Sequence, residues 1–187
     1  MGFLTPTATG ELDHLKVFVL QQLAQLRTTV VGLTDDQARS TPSASTLNLT
    51  ALLLHTGPVA VYWSASAAAG PNPPQLPDGV EDSHTDALVD DPRSLDEVLA
   101  FFDRCVAWTA ENIDAVADLS APVPTPPAPW IPKDLTHWEA RWCLLHLVGE
   151  LARHAGHADI IRETIDGLGA FELNDLAEGV RGDAERR

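Results

Sequence analysis

The sequence predicts an all-α fold, a four-helix bundle with long crossover connections, and three observations carry that expectation. Four long segments repeat apolar residues at helical spacing, most of them behind a side chain able to cap a helix. The connections between the second, third and fourth segments are long and rich in Pro, which suits a chain that crosses over rather than a series of tight hairpins. No alternating apolar run is long enough to demand a sheet. At 187 residues the chain has the size of one domain, 1–187, with a core over about 10–168 and a peripheral tail over 169–187.

The first helix is expected from about Glu11 to Leu33, with Leu12, Leu15, Val19, Leu20, Leu23 and Leu26 on one face and Gly32 weakening its last turn. Thr34 and Gln37 have the spacing of a capping box, so a short helical turn follows over Asp35–Arg39. The second long helix starts at Asn48 or Thr50 and reaches about Ala68. Pro58 cannot donate to residue 54, which predicts a kink one turn after His55. Gly70 to Arg93 form a loop whose length implies either function or disorder. Ser94 and Glu97 make a second capping-box pair and open a third helix to about Ala117, with Leu95, Val98, Leu99, Phe102, Val106 and Ile113 as its apolar set. Leu119 to Leu135 holds six prolines and must be extended. Thr136 and Glu139 repeat the capping-box spacing before the fourth helix, which runs to Asp166 with Gly167 at its stop. The last residues, RGDAERR, are expected to fray.

Composition excludes several classes. There are 12 Lys and Arg against 27 Asp and Glu, a net charge of −15, so neither nucleic-acid phosphates nor an anionic membrane would be attracted. The start, MGFLTPTATGELDHLK, lacks the basic and apolar regions of a signal peptide, and the apolar stretches are interrupted well short of a membrane span. With two cysteines, Cys105 and Cys143, both in predicted helices, no disulfide framework is indicated, and a reducing cytoplasm is the expected compartment.

The fourth helix carries the chemistry. At roughly 100° per residue, His146, Glu150, His154 and His157 fall within about 80° of one another on one strip. Leu, Ile and Val are the usual occupants of a buried strip this wide, and Leu144, Leu147, Val148 and Leu151 already supply apolar contacts beside it. The plain alternative is that the histidines edge a helix interface while Glu150 pairs with Arg153 or His154 in solvent. The metal alternative is that Glu150 and His154, one turn apart, share an ion with a third ligand from another segment. His55, inside the apolar run LTALLLHTGPVAVYW, is the best donor. Imidazole and carboxylate suit zinc first, and nickel or iron(II) as well. Cys143 is read as a core residue or an outer neighbour of the metal. Arg153, Asp159, Arg162, Glu163 and Asp166 are read as solvated charges making local pairs.

His55 followed eight residues later by Trp63, together with THWEARWCLLHLVGELARHAGHADIIRETIDG, resembles the DinB-like superfamily. Within it the likeness is to the branch of metal-dependent thiol S-transferases that also contains the mycothiol-dependent maleylpyruvate isomerases. The resemblance spans roughly residues 10–168. It implies a four-helix bundle holding a divalent metal on His55, Glu150 and His154, with open positions left for chemistry. His146 and His157 fall outside that ligand set. Trp63 and His157 are taken as the residues that border a bound thiol cofactor. The isomerases carry an additional C-terminal domain, whereas this sequence runs about twenty residues past the fourth helix, so the single-domain thiol transferases are the nearer model.

The expected function is therefore transfer of a low-molecular-weight thiol, mycothiol first, to a small electrophile, with a metal-activated thiolate as the nucleophile and no separate catalytic side chain assigned. The expected partners are small molecules, the thiol and its electrophile, with a second copy of the chain as the protein partner left open. Two other classes stand beside it: a metal-dependent hydrolase of a small substrate, and a non-catalytic metal-binding module for stress or dimerisation.

Overall fold

A computed structural model describes residues 2–80, 88–126, 129 and 131–179, so His84 in the long loop and the terminal RGDAERR lie outside the described residues. Helices dominate: α1 (Glu11–Thr28), α2 (Asp35–Arg39), α3 (Leu49–Ala69), α4 (Leu95–Asp114), α5 (Ala140–Asp166) and α6 (Ala170–Ala177). Two three-residue strands, β1 (Pro122–Pro124) and β2 (His137–Glu139), complete the described elements.

The four long helices form an all-α bundle of the DinB-like type. α3 packs most extensively on α4 and then on α5; α1 packs on α5 and less on α4, and touches α3 little. The order around the bundle is thus α1, α4, α3, α5. The steps from α1 to α3 and from α4 to α5 cross its diagonals, while the step from α3 to α4 joins neighbours that run parallel, Gly57 beside Cys105 and Ser64 beside Asn112, so its chain must return along the length of the bundle. α3 is the most enclosed member because it carries no Asp, Glu, Lys or Arg at all. Gly57 lets α4 come close, since a Cβ there would stand 3.2 Å from the Cys105 Cβ and 3.3 Å from the Phe102 ring. The helix continues through Pro58. Leu23 and Leu26 of α1, Leu52 and Leu53 of α3, Phe102 of α4, and Leu147 and Leu151 of α5 are all under 2 % exposed, and each such side chain contributes about 1.5–3 kcal/mol of burial.

The local start signals act as read. Thr34 and Gln37, and Ser94 and Glu97, form complete capping boxes, and the Asn48 side chain accepts from Ala51 N–H at 2.8 Å. Asn48 also donates to the carbonyls of Arg39 and Val89 at 3.1 Å, tying both flanking loops to the first turn of α3.

Four readings are corrected. α1 ends at Thr28, not Leu33: the hydroxyls of Thr28 and Thr29 donate back to the Gln25 and Leu26 carbonyls at 2.7 Å, and the chain leaves through turns to Gly32 at φ 76. α4 likewise stops at Asp114, short of Ala117. The capping box at Thr136 and Glu139 does not form. Residues 137–139 instead pair antiparallel with β1, setting Val123 opposite Trp138, and the first donors of α5, Ala140 and Arg141 N–H, go to the carbonyls of Ala121 and Leu119 at 2.9 and 2.8 Å. Finally, part of the tail folds as α6, with Leu173 fully buried and Asn174 exchanging two amide hydrogen bonds with Gln25 of α1.

Arg162 also departs from its reading as a solvated charge. It is 2 % exposed; its Nη1 donates to the carbonyls of Thr29 and Val31 at 2.8 Å, and its Nε and Nη2 grip the Asp166 carboxylate at 3.0 and 2.9 Å. One guanidinium thereby satisfies carbonyls left orphaned at the end of α1 and ties that end to α5.

Candidate metal centre

α3 and α5 run antiparallel, so residues early in α3 face residues late in the strip on α5. His55 stands in an uncharged helix, and the side it turns toward α5 meets Glu150 and His154, which the helical spacing of four stacks one turn apart. One ligand atom from each of the three lies within 4.8 Å of the others. Glu150 Oε1 is the hinge, 3.1 Å from His154 Nε2 and 3.9 Å from His55 Nε2. An ion with four ligands at about 2 Å sets those ligands roughly 3.3 Å apart. The donor set and its spacing therefore fit a divalent cation.

The surroundings favour the neutral His154 ring that such an ion needs. Burial pushes the His154 imidazole below its ordinary value and the neighbouring His55 adds to that, while Glu150 opposes both. His157, one turn on, works in the same direction as His55. The side chains of His55, Glu150 and His154 are 16, 30 and 18 % exposed, which leaves a path from solvent.

Trp63 does not join this cluster. Two turns along α3 from His55, its ring meets those of Trp138, Trp142 and His146 edge-on at centroid distances of 5.6, 5.7 and 4.7 Å. Those three stack plane to plane: Trp138 on Trp142 at 4.4 Å and Trp142 on His146 at 5.0 Å, each within 4° of parallel. Trp142 is 38 % exposed and so is no core residue. Part of the signal for this array was present in the sequence, because Trp142 and His146 lie one turn apart and continue the strip of Glu150 and His154, whereas Trp138 is brought to it by the β2 strand. His146 belongs to the aromatic array, and His157 is half-buried beyond His154 on the other side. Cys143 lies in the core, and burial pushes its thiol up to about 12.

The mycothiol-S-transferase family model matches residues 14–167. No curated protein matches the chain. A solved structure of a conserved protein from Enterococcus faecalis is similar in fold, with a TM-score of 0.65 and 17 % identity, covering 86 % of this chain and 100 % of that one.

Proposed function

Because this chain belongs to the mycothiol S-transferase family, we propose that it transfers mycothiol to a small electrophile, using a divalent metal held by His55, Glu150 and His154. The observation that carries this reading is the convergence of two imidazoles and one carboxylate, from two helices, at a partly exposed seam. A cation bound there supplies the positive charge that keeps a thiol deprotonated at neutral pH. His154, its basicity lowered by burial, offers a free lone pair at that pH. Glu150 reaches toward both imidazoles and contributes the one negative charge of the set. Three protein donors leave room for an exogenous ligand in a four-coordinate shell, as catalytic sites require. Trp63 and His157 flank the seam on opposite sides and are proposed to border the body of the bound thiol.

Zinc is the proposed metal and a reducing cytoplasm the proposed compartment; no helix among the described residues is long and apolar enough to cross a membrane. The test is to load the protein with cobalt and add mycothiol. A sulfur-to-cobalt charge-transfer band, absent in His154→Ala, together with mycothiol-dependent consumption of an alkylating electrophile, is the expected result. A fully loaded protein whose spectrum no bacterial thiol perturbs would overturn the transferase reading and leave the hydrolase or the non-catalytic module.

A further inference from the structure

Asp159 of α5 faces away from the metal cluster: at roughly 100° per residue it sits about 140° round the helix from His154. It lines a cavity of about 440 Å³ between α1, α5 and the N-terminal segment. Among the described residues no hydrogen bond or ion pair meets its carboxylate, and burial, with Glu163 adding to it, raises its pKa above the ordinary value. A half-buried carboxylate without a partner is disfavoured as an anion, and a bound cation would relieve that cost.

Of the other polar groups of the cavity, the three glutamines are hydrogen-bonded. Gln21 donates to the Phe3 carbonyl at 2.7 Å, Gln22 donates to Gln21 Oε1 at 2.6 Å, and Gln25 exchanges its amide bonds with Asn174. These bonds hold the N-terminal segment and α6 around the opening. Among the described residues no Lys, Arg or His lines it, and Asp159 is the one charged side chain there. The rings of Phe3 and Phe18 contribute aromatic surface. At Gly156, which also lines the cavity, an added Cβ would meet nothing within 4 Å.

The volume lies within the range of small-molecule sites. A single carboxylate on a wall of apolar and aromatic groups and uncharged amides is an arrangement that can hold an organic cation, through a charge-assisted contact on one side and ring faces on the other. A divalent metal would need several oxygen ligands, which one carboxylate cannot supply. We propose that this cavity is a second binding site, separate from the metal centre, for a small organic ammonium ion whose nitrogen pairs with Asp159 and whose apolar body lies against Phe3 and Phe18. The site stands independently of the thiol reaction.

The test is calorimetric titration of the metal-loaded full chain with benzylammonium, cyclohexylammonium and tetramethylammonium, with benzyl alcohol as a neutral molecule of similar shape. At least one ammonium ion is expected to bind with one-to-one stoichiometry, at least about tenfold more tightly than the alcohol. Asp159→Asn should remove that advantage, and Gly156→Leu, which fills the open space beside the carboxylate, should block binding altogether. Both variants should keep their metal, since the two residues lie on the other side of α5. Failure of all three ions to bind, equal binding of benzyl alcohol, or undiminished ammonium binding by a folded Asp159→Asn variant overturns the proposal.

Discussion

The rings of His55 and His154 meet edge to face, 4.9 Å between centroids and 68° between planes, although they belong to different helices at different ends of the sequence. Burial first, and the neighbouring His55 next, push the His154 imidazole below its ordinary value, which favours the neutral ring that can donate a lone pair. His55→Ala and His154→Ala are each expected to lose stoichiometric divalent metal, measured by elemental analysis of protein purified without metal-affinity steps. Glu150→Gln should retain metal more weakly because the amide lacks the carboxylate charge. His137→Ala, exposed on β2, should retain it fully. Full occupancy in both helical histidine variants would remove the site.

Arg162 should matter more to stability than any exposed charge. Arg162→Ala leaves the carbonyls of Thr29 and Val31 and the Asp166 carboxylate without their donor, and a loss of about 3 kcal/mol is expected in denaturant unfolding. A loss below about 1 kcal/mol would show that water replaces the guanidinium without penalty.

Asp166 supplies a pH signature. Burial works to raise its carboxyl, but the Arg162 hydrogen bonds, with the Leu168 N–H, outweigh that and hold it below the ordinary carboxylate range. A depressed carboxyl contributes stability above its unfolded pKa and loses it as pH falls through the folded one. The stability gap between the native chain and Asp166→Asn should therefore be constant from pH 7 to about 5 and close below about 4. Asp159 has the opposite sign: its raised pKa costs stability at neutral pH, so Asp159→Asn should raise Tm at pH 7 and give no gain in acid. A gain that persists at low pH would mean the carboxylate's charge is not its cause.

Neither cysteine should react in the folded protein. Burial pushes both thiols up to about 12, against the opposing pull of Arg104 and Arg93 at Cys105. At pH 8 only about one molecule in ten thousand would carry the thiolate. Mass spectrometry after maleimide treatment should find both unmodified until denaturant is added, and the Cys105→Ser and Cys143→Ser variants should keep thiol-dependent turnover. Rapid labelling of native protein would point instead to an internal nucleophile.

What the sequence made legible is what its local spacing controls. The boxes at Thr34 and Ser94, the cap at Asn48 and the pairing of Glu150 with His154 are all interactions across two to four residues, and each can be read along the chain. The misread features depend on distant partners. Thr136 and Glu139 have the spacing of a cap, but the β1 backbone competes for that segment and its carbonyls take the first donors of α5. The Arg162 and Asp166 spacing predicts a surface pair, and nothing local announces the Thr29 and Val31 carbonyls. Trp142 is held at the surface by its stack on Trp138, which the strand pairing positions and no local spacing announces. For His55 the helical spacing is silent; its uncharged setting and the family resemblance together picked it out.

The diagonal connections impose an order of events during synthesis. His55 emerges from the ribosome 95 residues ahead of Glu150, and at translation rates of about 5–20 residues per second that interval is roughly 5–19 s. Throughout it the nascent chain presents α3, a helix without a charged side chain, with its α5-facing side uncovered. With the proposed ligands divided between α3 and α5, binding of an ion by all three would have to wait for the docking of α5, so its uptake would report that α3 and α5 have met.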